Sequence, residues 1–76
     1  MDSIKMNEQY LIEIGRRIAD ARHAKGEKAE TLAQVVGLSQ ATISRIENGT
    51  YTGLKATTIR QIAEYLNIPL SDIYPP

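Results

Sequence analysis

The chain has 76 residues, enough for one domain, and a domain of this size buries only about 60% of the surface of its unfolded chain. Nine basic and nine acidic side chains leave it formally neutral, which argues against a nucleic-acid binder that works through bulk charge. It has no cysteine, which excludes a disulfide framework and cysteine-ligated zinc. With no Phe or Trp the core must be aliphatic, the only aromatics being Tyr10, Tyr51, Tyr65 and Tyr74.

No stretch has the apolar length of a signal peptide or a membrane helix, so the expectation is a soluble, cytoplasmic protein with no membrane partner. Residues 1–6 carry no helix signal and are expected to be disordered, which puts the single domain at 7–76. Asn7 is the N-cap candidate of a first helix, with Glu8 in the dipole-favoured first turn. Leu11, Ile14, Ile18 and Ala21 form its apolar stripe, and Gly26 ends it after His23 and Lys25. Gly15 lies inside this helix at a cost of about 1 kcal/mol relative to Ala. A close helix–helix approach at that point would offset the cost.

The second helix covers about 29–36, with Leu32, Ala33 and Val36 inward and Gly37 as its stop. Ser39 is the N-cap candidate for a third helix over 40–47, anchored by Ile43 and Ile46 and closed by Asn48-Gly49. A loop over 50–54 leads to a fourth helix over 55–66, with Ile59, Ile62, Ala63 and Leu66 inward; Asn67 and Pro69 stop it. A short fifth helix is predicted over 71–74, before Pro75-Pro76. Ile68, Leu70, Ile73 and Tyr74 are assigned to the core, with a dimer contact as the alternative for some of them. No strand alternation appears, so the fold class is all-α, a compact five-helix bundle.

Residues 29–48 act as one unit. Two helices of about two turns each, joined by Gly37-Leu38-Ser39, cross steeply and leave the second protruding. Ala33 is small where the second helix passes over it, Gly37 supplies a positive φ, Leu38 plugs the corner, and Ile43 and Ile46 anchor the second helix. Gln40, Ala41, Ser44 and Arg45 lie off the apolar stripe, and none is acidic. Gln can pair bidentately with adenine and Arg with guanine, and Ala can touch a thymine methyl. Thr42 and Asn48 are better placed for phosphates, which position a protein without reading sequence. Residues 28–60 carry four basic side chains (Lys28, Arg45, Lys55, Arg60) against Glu30 and Glu47, so the middle of the chain is mildly basic.

The run from Gly37 to Gly49, Gly-Leu-Ser-Gln-Ala-Thr-Ile-Ser-Arg-Ile-Glu-Asn-Gly, resembles the signature of the Cro/phage-repressor (XRE) family of helix-turn-helix proteins. Ile14-Gly15-Arg16-Arg17-Ile18 and Arg22 resemble its first helix. Ile59, Ile62-Ala63, Leu66-Asn67-Ile68 and Asp72-Ile73 resemble its last two, so the likeness covers about residues 11–74. It implies a five-helix DNA-binding bundle, a homodimer and a palindromic double-stranded operator. It implies base contacts from Gln40, Ala41, Ser44 and Arg45. Backbone contacts are implied for Lys28, Ser39, Thr42, Asn48, Thr50, Tyr51 and Lys55, and a structural ion pair for Arg22 and Glu47. The sequence departs from the pattern at the start of the second helix, where Lys28-Ala29 replace the usual Ser/Thr-Gln. Ala29 can neither bond a phosphate nor brace Gln40, and Lys28 stands as the substitute phosphate contact.

The leading expectation is therefore a transcriptional repressor. The alternative on the same fold is an antitoxin with a toxin partner, or a protein-interaction module. An enzyme is not expected: there is no nucleophile–base constellation or phosphate-cradling glycine loop. No catalytic residue, cofactor or small-molecule ligand is expected, nor a metal, since His23 has no apparent second ligand.

Overall fold

Residues 8–76 are described by a computed structural model, and the expectations for Asn7 and for residues 1–6 fall outside them. Four α-helices follow the apolar spacing: α1 (Glu8–Ala24), α2 (Ala29–Val36), α3 (Gln40–Asn48) and α4 (Ala56–Leu66). The described residues contain no strand. Each of α2, α3 and α4 ends on a left-handed residue, Gly37 (φ 73°), Gly49 (φ 77°) and Asn67 (φ 58°). The amides of these residues and of the residues that follow them turn back onto the last carbonyls of the helix, as in Leu38 N–H to Ala33 O at 2.9 Å.

The expected fifth α-helix is absent. In its place a single 3-10 turn spans Leu70–Asp72. Pro69 and Pro75 bracket too few residues for an α-helix to offset its nucleation cost. The segment closes instead through short-range bonds, Asp72 N–H to Pro69 O at 3.0 Å and Ile73 N–H to Leu70 O at 2.9 Å. The architecture is thus four α-helices and one turn. That turn delivers Ile73 to full burial and leaves Leu70 39% exposed, so Leu70 is not a core residue.

The core joins Ile14 and Ile18 of α1, Leu32 and Ala33 of α2, Ile43 and Ile46 of α3, and Ile59, Ile62, Ala63 and Leu66 of α4. Burying each Ile or Leu side chain is worth about 1.5–3 kcal/mol. Ala21, Val36, Leu38, Ile68 and Tyr74 are partly buried and pack around this cluster.

α3 rests on α1 and α2, and glycine decides how closely it approaches α1. A Cβ on Gly15 would run into the carbonyl oxygen of Ile46 and lie 2.8 Å from that of Glu47. Helix backbones meet here without side chains between them, which is the approach that offsets glycine's poor helix propensity. Neither obstructing atom belongs to a flexible side chain, so α3 as a whole would have to move. Gly15→Ala is therefore expected to destabilise the domain by about 1–3 kcal/mol despite adding a better helix former. At this size that lowers the Tm by about 4–8 °C per kcal/mol, read by thermal denaturation followed by circular dichroism.

Candidate nucleic-acid interface

The geometry of α3 follows from how its two ends are held. At the N-terminus, Ser39 adopts extended backbone (φ −80°, ψ 158°) and its hydroxyl oxygen accepts the Thr42 N–H at 3.1 Å. The Ser39 and Thr42 hydroxyls are 2.9 Å apart, so one proton lies between them and the other is left to donate outward. At the C-terminus, Gly49 turns left-handed directly over α1, where a Cβ would sit 2.5 Å from the Ile12 Cα.

Arg22 of α1 completes the docking. Its Nε donates to Glu47 Oε2 at 2.7 Å and its Nη2 to Glu47 Oε1 at 3.0 Å. Nη1 reaches the Glu27 carbonyl oxygen at 2.8 Å. Both side chains are only 11% exposed, and the Glu47 carboxylate holds the Arg22 guanidinium above its ordinary pKa. The network continues through Glu27, whose carboxylate accepts the Tyr65 hydroxyl of α4 at 2.7 Å and raises that phenol's pKa. The Glu27–Tyr65 link spans 38 residues and has no local sequence signal.

With its ends fixed, α3 turns Ile43 and Ile46 into the core and leaves Gln40, Ala41, Ser44, Arg45 and Asn48 exposed. At 3.6 residues per turn these five positions cover an arc of roughly 140°. None is acidic, because the one carboxylate of α3, Glu47, is engaged by Arg22. Among these residues only Arg45 has a side-chain partner within the described structure, the Tyr51 ring, whose centroid is 5.3 Å from the guanidinium carbon.

Lys28 and Lys55 occupy the N-cap positions of α2 and α4, and neither makes a side-chain capping bond. The first-turn amides of both helices are thus uncapped beside an exposed ammonium group, an arrangement suited to an anion. The Thr50 N–H and hydroxyl both point back to the Arg45 carbonyl, at 2.9 and 3.3 Å, and Tyr51 is half-buried. His23 lies exposed at the end of α1, with Nε2 3.3 Å from Arg22 Nη2.

A helix that follows α2 across the Gly37-Leu38-Ser39 turn, is capped at its start and seated on α1 by its last turn, and exposes a polar, non-acidic face has the arrangement of a helix-turn-helix. A helix-turn-helix family model matches residues 18–73, and the chain belongs to that family, the XRE-type DNA-binding transcription regulators. It is 36% identical over 59 residues to the uncharacterized HTH-type transcriptional regulator RghRB of Bacillus subtilis, covering 78% of this chain and 42% of that protein. The chain therefore spans about two fifths of the length of this curated relative. Among solved structures it is similar to the restriction-modification controller protein C.AhdI from Aeromonas hydrophila. That match has TM-score 0.76 and 30% identity, over 84% of this chain and 96% of that one. It also superposes on part of the hydroxypropylphosphonic acid epoxidase of S. wedmorenis, with TM-score 0.83 and 23% identity, over 92% of this chain and 37% of that one. At that identity the likeness is one of fold.

The Arg22–Glu47 pair gives a test of how α3 is held. Glu47→Ala leaves a largely buried guanidinium unpaired and is expected to cost about 3 kcal/mol. The double variant Arg22→Met/Glu47→Leu removes both charges and should recover most of that loss, measured by urea denaturation.

Proposed function

We propose that the chain is a sequence-specific double-stranded-DNA-binding repressor that binds a palindromic operator as a homodimer. The observation that carries this reading is the exposed arc of Gln40, Ala41, Ser44 and Arg45 on a helix fixed at both ends. Gln40 pairs with adenine, Arg45 with guanine O6 and N7, Ala41 meets a thymine methyl, and Ser44 bonds either kind of edge. The phosphate contacts come from Lys28 and Lys55 at their uncapped helix ends, from the outward hydroxyl of the Ser39/Thr42 pair, and from Asn48 and Tyr51. Thr50 joins them by exchanging its 3.3 Å hydroxyl bond for a phosphate oxygen.

In the dimer the two copies of α3 lie about 34 Å apart, one turn of DNA. Leu70, 39% exposed on the 3-10 turn, with half-buried Ile68 and Tyr74 beside it, is the apolar surface offered to the second copy. Fully buried Ile73 is not available for that contact. Repression follows from occupancy of the operator, in the cytoplasm, with no chemistry on the DNA.

Selection of bound duplexes from a random pool tests specificity and symmetry together: a palindromic consensus is expected. Arg45→Ala should weaken the selected site by about 1–3 kcal/mol and relax preference at one base pair of each half-site. Unchanged affinity and preference would remove Arg45 from the readers, and the absence of any consensus would reject the proposal.

The lysine caps predict opposite effects on stability and binding. Lys28→Asp supplies a capping carboxylate and should stabilise the domain by about 1 kcal/mol. The same change should reduce affinity for every duplex by a similar factor, seen by fluorescence anisotropy at two salt concentrations.

A further inference from the structure

We propose that Tyr51 is a positioning residue that sets the base preference of Arg45, an inference that rests on the DNA-reading role given to α3. The Arg45 guanidinium carbon lies 5.3 Å from the Tyr51 ring centroid. Arg45 is exposed and makes no ion pair among the described residues, so without the ring its long side chain would sample many rotamers. Gln40, Ser44 and Asn48 make no side-chain hydrogen bond within the described structure. The site therefore preorganises one side chain of the arc, and it is the one with a two-pronged donor.

The ring is a fixed platform. Tyr51 is half-buried and packs against the core cluster. A Cβ on Gly53 would lie 3.3 Å from the Tyr51 Cζ and 3.4 Å from its hydroxyl oxygen, so backbone closes on one part of the ring. The segment between Arg45 and Tyr51 is held by the left-handed Gly49 and by the Thr50 N–H, which donates to the carbonyl of Arg45 itself at 2.9 Å. Reader and platform are thus set by one short stretch of backbone.

The chemistry suits this division. An aromatic ring takes up a face of the guanidinium plane, while guanine O6 and N7 are bonded through its edge. Tyr51 can hold Arg45 without competing for the donors that read the base. At an exposed site such a contact is worth about a two- to fivefold change in an equilibrium constant.

The test uses the full chain, the selected duplex and its single-base-pair variants, with folding checked by circular dichroism. Tyr51→Phe keeps the ring and should retain discrimination at the base pair assigned to Arg45. The ringless variants Tyr51→Leu and Tyr51→Met should lose about two- to fivefold of discrimination at that base pair only, and nothing further in an Arg45→Ala background. In the free protein, the upfield ring-current displacement of the Arg45 Nε–H resonance should persist in Tyr51→Phe and vanish in both ringless variants. That readout needs no DNA and stands if either ringless variant folds. If Arg45→Ala relaxes the base pair but the ringless variants do not, the inference about Tyr51 is overturned and the reading of α3 survives. A loss of discrimination at that base pair as large in Tyr51→Phe as in Tyr51→Leu overturns it too, because the ring is then not what holds Arg45. So does a loss in the ringless variants that is even over all duplexes with discrimination unchanged, which leaves Tyr51 its phosphate contact alone. If no duplex is selected, the reading of α3 fails and this inference falls with it.

Discussion

The backbone-to-backbone seat of α3 on α1 governs what the rest of the molecule can present. Ile12, Gly15 and Arg22 lie at steps of three and seven residues along α1, on one side of that helix. Each meets the last turn of α3 or its cap: Ile12 lies under Gly49, Gly15 under the Ile46 and Glu47 carbonyls, and Arg22 against the Glu47 carboxylate. Leu11, Ile14 and Ile18 form the neighbouring, buried stripe. α1 therefore has two interfaces, one an apolar stripe and one of close backbone approach at two glycines, Gly15 and Gly49, together with an ion pair. The first makes the domain fold; the second fixes the rotation of α3, and with it which residues face outward. An apolar contact alone would tolerate sliding, whereas two absent Cβ atoms and a bidentate ion pair specify one seat.

The same seat explains how a neutral chain can offer a non-acidic surface. Glu47 faces α1 and is engaged by Arg22, Glu13 is held below its ordinary pKa by Arg17 and Arg16, Asp20 meets Arg16, and Glu27 accepts from Tyr65. These acids are satisfied within the fold. Arg45, Lys28 and Lys55 are exposed and enter no ion pair among the described residues. Glu30 stays exposed in the first turn of α2, where the helix dipole favours it. Formal charge is thus a poor guide to this surface, because the pairing is internal and unequal. Placing lysine at two helix N-caps costs capping energy that Ser or Asp would supply, a local inconsistency of the kind expected where a surface serves binding.

Much of this was legible in the sequence because it is encoded locally. Helix ends follow from Gly37, Gly49 and Asn67, each followed by an apolar residue or a turn, and the α3 start follows from Ser39. The apolar stripes of α1 to α4 follow from spacing alone. The need for a close approach at Gly15 was readable too, but its partners, the carbonyls of Ile46 and Glu47, were not. The C-terminal segment is the exception: the sequence predicts a short helix over 71–74 and puts Leu70 in the core, whereas the two flanking prolines leave room for one 3-10 turn with Leu70 exposed. Links that depend on three-dimensional closure had no signature, notably Tyr65 with Glu27 and Arg45 with Tyr51. Gly53, close against the Tyr51 ring, is the one faint sequence hint that the loop is packed.

The likeness to part of an epoxidase shows where a functional argument must rest. A body of the same shape, at 23% identity, forms a 37% portion of a protein whose name declares an enzyme. Four helices around an aliphatic core are compatible with several roles, and the core residues that make the fold recognisable are silent about which one applies. The discriminating information lies in side chains the fold does not need. Gln40, Ser44 and Arg45 could be exchanged for Lys or Glu with little effect on packing, since all three are exposed. They are instead short or planar hydrogen-bonding groups of the kind that pair with base edges, and the single guanidinium lies 5.3 Å from the centroid of an aromatic ring. The functional claim for this chain therefore stands on that arc and on the constraint that keeps it facing outward, and only secondarily on the shape of the bundle beneath it.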